Sequence, residues 1–314
     1  QASAQQVSDL AAQIADQLAA ANARTAAVSA SYWADVPVTA PSAGASILSL
    51  AGGAITPGDM PTFLLGWSDG SIMHGYGRMS FANVGNSQFG DSAVYGIAIG
   101  AGLAVAVGAN GKIATSPDGS DWTARTSGTT SDINQLAYTH HGFFANASGT
   151  LLHSVDGITW SPRAVDGETL HYLAYSDGLL LAATESVNKY SGDGGITWTD
   201  LPSMFYGVRL GADAYGKGVL VGVDQYGQLM ATADLGETWR SIYTEDTPSV
   251  IRFDGEIFVA ATVGGQILVS PDGFEWGAAP HSAGVTQPYG LAKTPAGWLV
   301  GGAGGKLQRT MRVF

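Results

Sequence analysis

The chain has 314 residues, of which 45% are apolar and 13% charged, with 44 Gly, 12 Pro and no Cys. That balance excludes a collagen-like or wholly disordered chain, and the missing thiols exclude disulfides, thiolate metal sites and a Cys nucleophile. Fourteen Lys and Arg against 26 Asp and Glu leave a net charge of -12, which argues against nucleic acid and anionic membranes as partners.

Residues 1–30 are rich in Ala and Gln and hold no Gly or Pro; Val7, Leu10, Ile14, Leu18, Ala21, Thr25 and Val28 form one apolar stripe. Its steps alternate between three and four residues, the heptad spacing, and predict a helix whose narrow seam needs a partner. A parallel coiled-coil stalk that joins three copies answers that need, and a helix laid on the side of the following domain is the other solution. The chain begins at Gln1 with no basic-then-apolar leader, which points to the C-terminal part of something longer or to a removed leader. No apolar run approaches the roughly 20 residues of a membrane span.

Tyr32 to Val38 read as a short strand with a Trp, and residues 46–50 as the first strand of a new unit. From there one phrase recurs five times: Ser116 to Trp122, Ser154 to Trp160, Ser191 to Trp198, Thr232 to Trp239 and Ser270 to Trp276, each with Asp two positions after the first residue. The Trp spacings of 38, 38, 41 and 37 mark one supersecondary unit repeated, and short apolar stretches before each phrase predict four strands per unit. In a Ser/Thr-x-Asp-x-Gly turn the carboxylate accepts backbone N–H groups and Gly takes the positive φ, so Asp118, Asp156, Asp193, Asp234 and Asp272 read as structural staples. A Gly ahead of a polar and an apolar residue forms a second mark at Gly70, Gly111, Gly149, Gly227, Gly265 and Gly305; with the degenerate turn near Val187 this makes seven units. Phe81 aligns with Trp122, so the first unit is a worn copy; if it is no blade, six remain.

These residues resemble the Asp-box (bacterial neuraminidase, or BNR) repeat, S/T-x-D-x-G-x-T-W, of sialidase-like β-propellers. The copies at Ser191 and Thr232 have the full spacing and three are one residue short. The resemblance implies an all-β, seven-bladed propeller over residues 31–314 behind the helical segment 1–30, and it spans sialidases, sorting receptors, photosystem assembly factors and phage adhesins. The Trp of the last unit would fall beyond Phe314, so the strand near Trp33 is expected to supply the last blade's outer strand and close the ring. For a sialidase the resemblance implies three converging arginines, a Tyr nucleophile with a Glu partner, an acidic Asp and an Arg-Ile/Leu-Pro sequence. No such sequence occurs, and only Arg209 and Arg252 fall on inner strands.

The repeated Asp turn joins the third and fourth strands, so function is sought on the opposite face, where the second-to-third turns and blade-to-blade loops lie. Rings beside carboxylates recur there, a mixture suited to sugar binding, where a ring stacks on an apolar sugar face and carboxylates accept hydroxyl hydrogen bonds: Trp67, Asp69, Glu185, Phe205, Tyr206, Asp224 and Tyr226 are the candidate ligand-binding residues. The histidines lack metal-ligand spacing; no metal, cofactor or catalytic residue is expected. The reading is of a non-catalytic receptor-binding or tail-tip adhesin of a phage virion, otherwise extracellular, which forms a homotrimer through residues 1–30 beside other tail proteins. Its partner is a host-surface glycan or protein, with no nucleic acid and no membrane insertion. A glycoside hydrolase with two carboxylates about 5 to 10 Å apart and a protein-binding assembly factor are the alternatives.

Overall fold

The structure is a computed structural model that describes residues 32–76, 80–176, 178–201, 215–224, 226–279, 284–294 and 297–311, with 12, 13, 15, 16 and 19. Those last five are helical and exposed; the rest of the stalk expected over 1–30 lies outside the described residues. No helix among the described residues is long and apolar enough to cross a membrane.

Seven four-stranded antiparallel sheets follow one another along the chain, which settles the count at seven blades rather than six. Their inner strands are Ile47–Gly53, Val94–Gly100, Ile133–Thr139, Leu170–Ser176, Tyr215–Gly216, Pro248–Phe253 and Pro288–Thr294, and blades 1 to 7 are numbered in that order. The worn first unit is a full blade: Phe81 lies in its outer strand Ser80–Asn83, opposite Gly75, whose missing Cβ leaves room for the ring. Second strands such as Thr62–Trp67 and Gly142–Ala147 are buried at every position, because both faces of a blade pack on neighbours. The cores accordingly form seven clusters, one between each pair of adjacent blades.

Each blade sends one ring back onto the preceding blade. Trp122 packs between blades 1 and 2, Trp160 between 2 and 3, Trp198 between 3 and 4, Trp239 between 4 and 5 and Trp276 between 5 and 6. Trp33 does the same for blades 6 and 7. It can do so because Tyr32–Asp35 pairs antiparallel with Leu307–Met311 as the outer strand of blade 7, in the register Trp33↔Thr310 and Asp35↔Gln308. Gln308 Nε2 adds a 2.6 Å hydrogen bond to Asp35 Oδ1, and Val36 enters the core between blades 7 and 1. The N-terminal strand thus closes the ring and removes its free edges.

The second-to-third turns carry Gly with φ between +67° and +107° at 70, 111, 149, 227, 265 and 305. At Gly70 a Cβ would sit 2.0 Å from the Gly90 carbonyl oxygen, and at Gly111 2.1 Å from that of Thr129, so a side chain is excluded by backbone as well as by φ. Blade 4 lacks this Gly. There the Thr184 hydroxyl closes the turn, donating to Val187 O at 2.5 Å and accepting from Val187 N at 3.2 Å.

Candidate functional site

The repeated Asp turns occupy one face of the ring, and their carboxylates are engaged in it. Asp118 Oδ1 accepts the N–H groups of Ser120 and Asp121 at 2.8 and 2.9 Å and the Ser116 hydroxyl at 3.0 Å. That hydroxyl in turn accepts from Gly119 N at 2.7 Å. Asp156 and Asp272 repeat the pattern. In the two longer copies the extra residue lets a Thr hydroxyl reach the second oxygen: Thr197 Oγ1 donates to Asp193 Oδ2 at 2.5 Å and Thr238 Oγ1 to Asp234 Oδ2 at 2.6 Å. The Thr197 hydroxyl and N–H hold the Asp193 carboxyl well below the usual carboxylate range. The Thr232 and Thr238 hydroxyls hold Asp234 down to about 2.

The opposite face is shaped by a repeated irregularity. The inner strands of blades 1–4, 6 and 7 each have a register shift at the second residue, so that Leu48, Tyr95, Asn134, His171, Ser249 and Tyr289 are extra residues without a ladder partner. A β-bulge re-aims its side chain, and Asn134, His171, Ser249 and Tyr289 are exposed at these starts. At blades 5, 6 and 7, and reaching Tyr172 on the inner strand of blade 4, this face holds a cavity of about 870 Å³ whose wall includes Asp224, Tyr226, Thr247, Pro248, Val263, Pro288 and Tyr289, a size suited to a ligand fragment. Three of its apolar groups stand in solvent: Tyr226 is 79% exposed, Tyr289 48% and Val263 40%.

Asp224 staples its own turn with one oxygen, Oδ1 accepting from Tyr226 N and Gln228 N at 2.8 Å each. Beside the wall residue Thr247, Asp246 accepts from Thr247 N at 2.8 Å and Gly264 N at 2.5 Å. Burial raises the Asp246 carboxyl, but hydrogen bonds from Thr262, Gly264 and Thr247 outweigh it, so the group lies below its ordinary value and stays ionised at neutral pH.

Of the residues singled out from sequence, Asp224 and Tyr226 line this cavity. Glu185 is exposed on the same face at blade 4 and does not line it. Phe205 and Tyr206 lie outside the described residues. Trp67 is corrected: it has no exposed surface and fills the core between blades 7 and 1, its ring under Gly305, where a Cβ would come within 2.8 Å. A ring so enclosed cannot stack on a ligand. Asp69 is a turn staple with both oxygens engaged, by Ser42 Oγ at 2.5 Å and Ser71 N at 3.1 Å. Tyr289, Val263 and Thr247 were not singled out; the signal that could have found Tyr289 is its place as the second residue of an inner strand, where the bulge falls.

Arg252 lines a second cavity, about 290 Å³, in the channel between inner strands, and its Nε donates to Leu291 O at 3.0 Å. Lys293 in the same wall pairs with the buried Asp254 at 3.4 Å and lies 5.2 Å from the Trp298 ring centroid. Arg209 lies outside the described residues. Among the described residues no group of three or more His, Asp or Glu could hold a metal ion.

Seven four-stranded blades in a ring closed by its N-terminal strand define a seven-bladed β-propeller. A family model for the DUF6242 beta propeller domain matches residues 103–205, and the chain is similar to that family over this third of its length. No curated protein matches the chain. Among solved structures it is similar to YCF48 from Cyanidioschyzon merolae, at 15% identity and TM-score 0.64 over 88% of this chain and 98% of the other. It is also similar to YCF48 bound to D1 peptide, at 15% identity and TM-score 0.69 over 89% and 96%. A catalytically inactive virginiamycin B lyase from Staphylococcus aureus with quinupristin shares 12% identity and TM-score 0.68 over 90% and 99%. Identities this low establish a common fold.

Proposed function

We propose that this chain is a non-catalytic binding module that takes a polypeptide partner on the loop face of blades 5–7. The observation that carries this reading is the exposure of Tyr226, Tyr289 and Val263 around one cavity, since exposed aromatic groups beside a pocket are the usual anchors of an interface. The YCF48 structure with a D1 peptide supports it as an example of the same fold engaging a peptide. The test is selection of a displayed random-peptide library on the whole protein, with each winner measured against a Tyr226→Ser/Tyr289→Ser variant. Loss of roughly ten-fold or more in affinity, the sum of two anchoring contacts, is expected; winners that bind the variant equally well would overturn the reading.

A second reading gives the module its setting. Tyr32 stands opposite Met311, at the end of blade 7 that bears the third-to-fourth turns, so the preceding chain leaves the ring from the face opposite the cavity. A trimeric coiled-coil stalk over 1–30 would then hold the cavities outward, as suits a phage tail-tip or other extracellular adhesin of the Asp-box kind facing a host-surface protein or glycan. Light scattering on the whole chain and on one starting at Ala30 tests it: a trimer that falls to monomer is expected, and a monomer in both sinks the stalk.

A further inference from the structure

Resting on the reading of this face as the partner site, we infer that the cavity of blades 5–7 takes a cationic side chain, Arg or Lys, of an extended polypeptide, seated against Tyr226 and Tyr289 and the unspent oxygen of Asp224. Four observations converge on a cation. First, the cavity wall holds no Lys, Arg or His among the described residues. Second, Asp224 commits only Oδ1 to its turn; Oδ2 makes no hydrogen bond among the described residues. Third, Asp246 adds a second ionised carboxylate next to the wall residue Thr247.

Fourth, the cations described on the same face are held elsewhere, so none of these supplies the missing charge. Lys189 is bound by Asp166 at 3.2 Å and by Asp200. Lys112 donates to Phe89 O at 2.5 Å, and Lys306 to Gly284 O at 3.3 Å.

The alternatives fit less well. A neutral apolar segment would bury Asp224 Oδ2 without a partner, which is costly, and an anionic segment would meet two carboxylates in a protein of net charge -12. A guanidinium or ammonium satisfies Oδ2 with a charge-assisted hydrogen bond and meets tyrosine faces whose quadrupole attracts it.

The test uses the full chain and four defined probes: N-acetyl-(Gly-Arg)₃-amide, its Gln and Glu counterparts, and maltotriose, each titrated by calorimetry at low and at physiological salt. The Arg probe is expected to bind about ten-fold tighter than the Gln probe, with the margin shrinking as salt screens it. Asp224→Asn keeps the Oδ1 acceptor of the turn and removes the charge. It should weaken the Arg probe about three- to ten-fold with an unchanged melting transition. Tyr226→Ala and Tyr289→Ala should each cost about two- to five-fold.

Equal binding of the Arg and Gln probes, both lost in Tyr226→Ala, would overturn the cation and leave the partner face standing. Arg binding that ignores Asp224→Asn and both tyrosine variants would overturn the inference by placing the cation elsewhere on the acidic surface. A tighter Glu probe, maltotriose alone, or no binding up to millimolar concentration would each overturn it as well; the library selection judges the face separately.

Discussion

Asp193 and Asp224 are the same residue doing the same local task on opposite faces of the ring, and they end in different chemical states. Each folds back to accept backbone N–H groups of its own turn. In the long Asp turn of blade 4 the Thr197 hydroxyl also takes the second oxygen, so the carboxylate is wholly spent on structure. In the second-to-third turn of blade 5 the position after Asp224 leads to Tyr226, which supplies its N–H and turns its ring to solvent. One oxygen and one aromatic face are left over beside a cavity. A turn residue becomes available for binding when its own loop fails to saturate it.

The strongest way to break this comparison is to remove the element that gives the ring two faces. Deletion of residues 31–40 takes Trp33 out of the core between blades 6 and 7 and Val36 out of the next, at about 1.5–3 kcal/mol for each large apolar side chain, and opens an unpaired edge on Leu307–Met311. Loss of the cooperative melting transition, with aggregation, is expected; an unchanged transition by calorimetry would rule out the closure.

Gly111→Ala should have the next largest effect. Its Cβ would press on the Thr129 carbonyl oxygen at a φ of +67°, a strain of roughly 1–3 kcal/mol visible as an earlier urea midpoint. Ser154→Ala sharpens the contrast on the Asp-turn face. The buried hydroxyl both donates to Asp156 at 3.0 Å and accepts from Gly157 N at 2.8 Å, so its loss should cost about 1–3 kcal/mol and leave ligand binding at the far face unaltered.

Acid should also act on the two faces unequally. Burial lowers the imidazoles of His74 and His153 below 6.5, against the pull of Asp118 on the first and of the His141 backbone on the second. The unfolded chain therefore binds protons first, and the stability these groups contribute is whole above pH 6.5 and declines as pH falls toward their folded values. Asp156, Asp193 and Asp234, all lowered by hydrogen bonds, contribute stability present above about pH 3.8 and lost as pH drops through their folded values. A denaturation midpoint that is flat from pH 8 to 7, slopes below 6.5 and falls more steeply below 4 is expected; a flat midpoint from 7 to 4 would contradict the histidine part. Tyr226→Ser should change stability least, within about 0.5 kcal/mol for so exposed a side chain, while binding on the cavity face weakens about two- to five-fold.

Much of this architecture was legible in the residues because the signals are local. The five Asp phrases, the recurring Gly of the second-to-third turns and the missing last Trp pointed to seven blades closed near Trp33, since turn geometry depends on a few consecutive residues. The candidate site was legible only in part. Asp224 and Tyr226 were found because a turn position and its face follow from strand order. Trp67 misled because a Trp at the end of a strand looks like a Trp on a loop; the apolar run Phe63 to Gly66 before it was the sign of a strand buried on both faces.

By itself, then, the sequence determined the repeat, the strand count, the ring closure and the face on which loops gather, all consequences of backbone chemistry within one unit of about 40 residues. Only the tertiary structure decided that Gly305 of blade 7 covers Trp67 of blade 1, and that Asp224, Tyr226, Val263 and Tyr289 from three blades surround one cavity. Those meetings depend on how closing the ring sets neighbouring sheets against one another, and on bulges that re-aim single side chains, neither of which is encoded in any one stretch of chain.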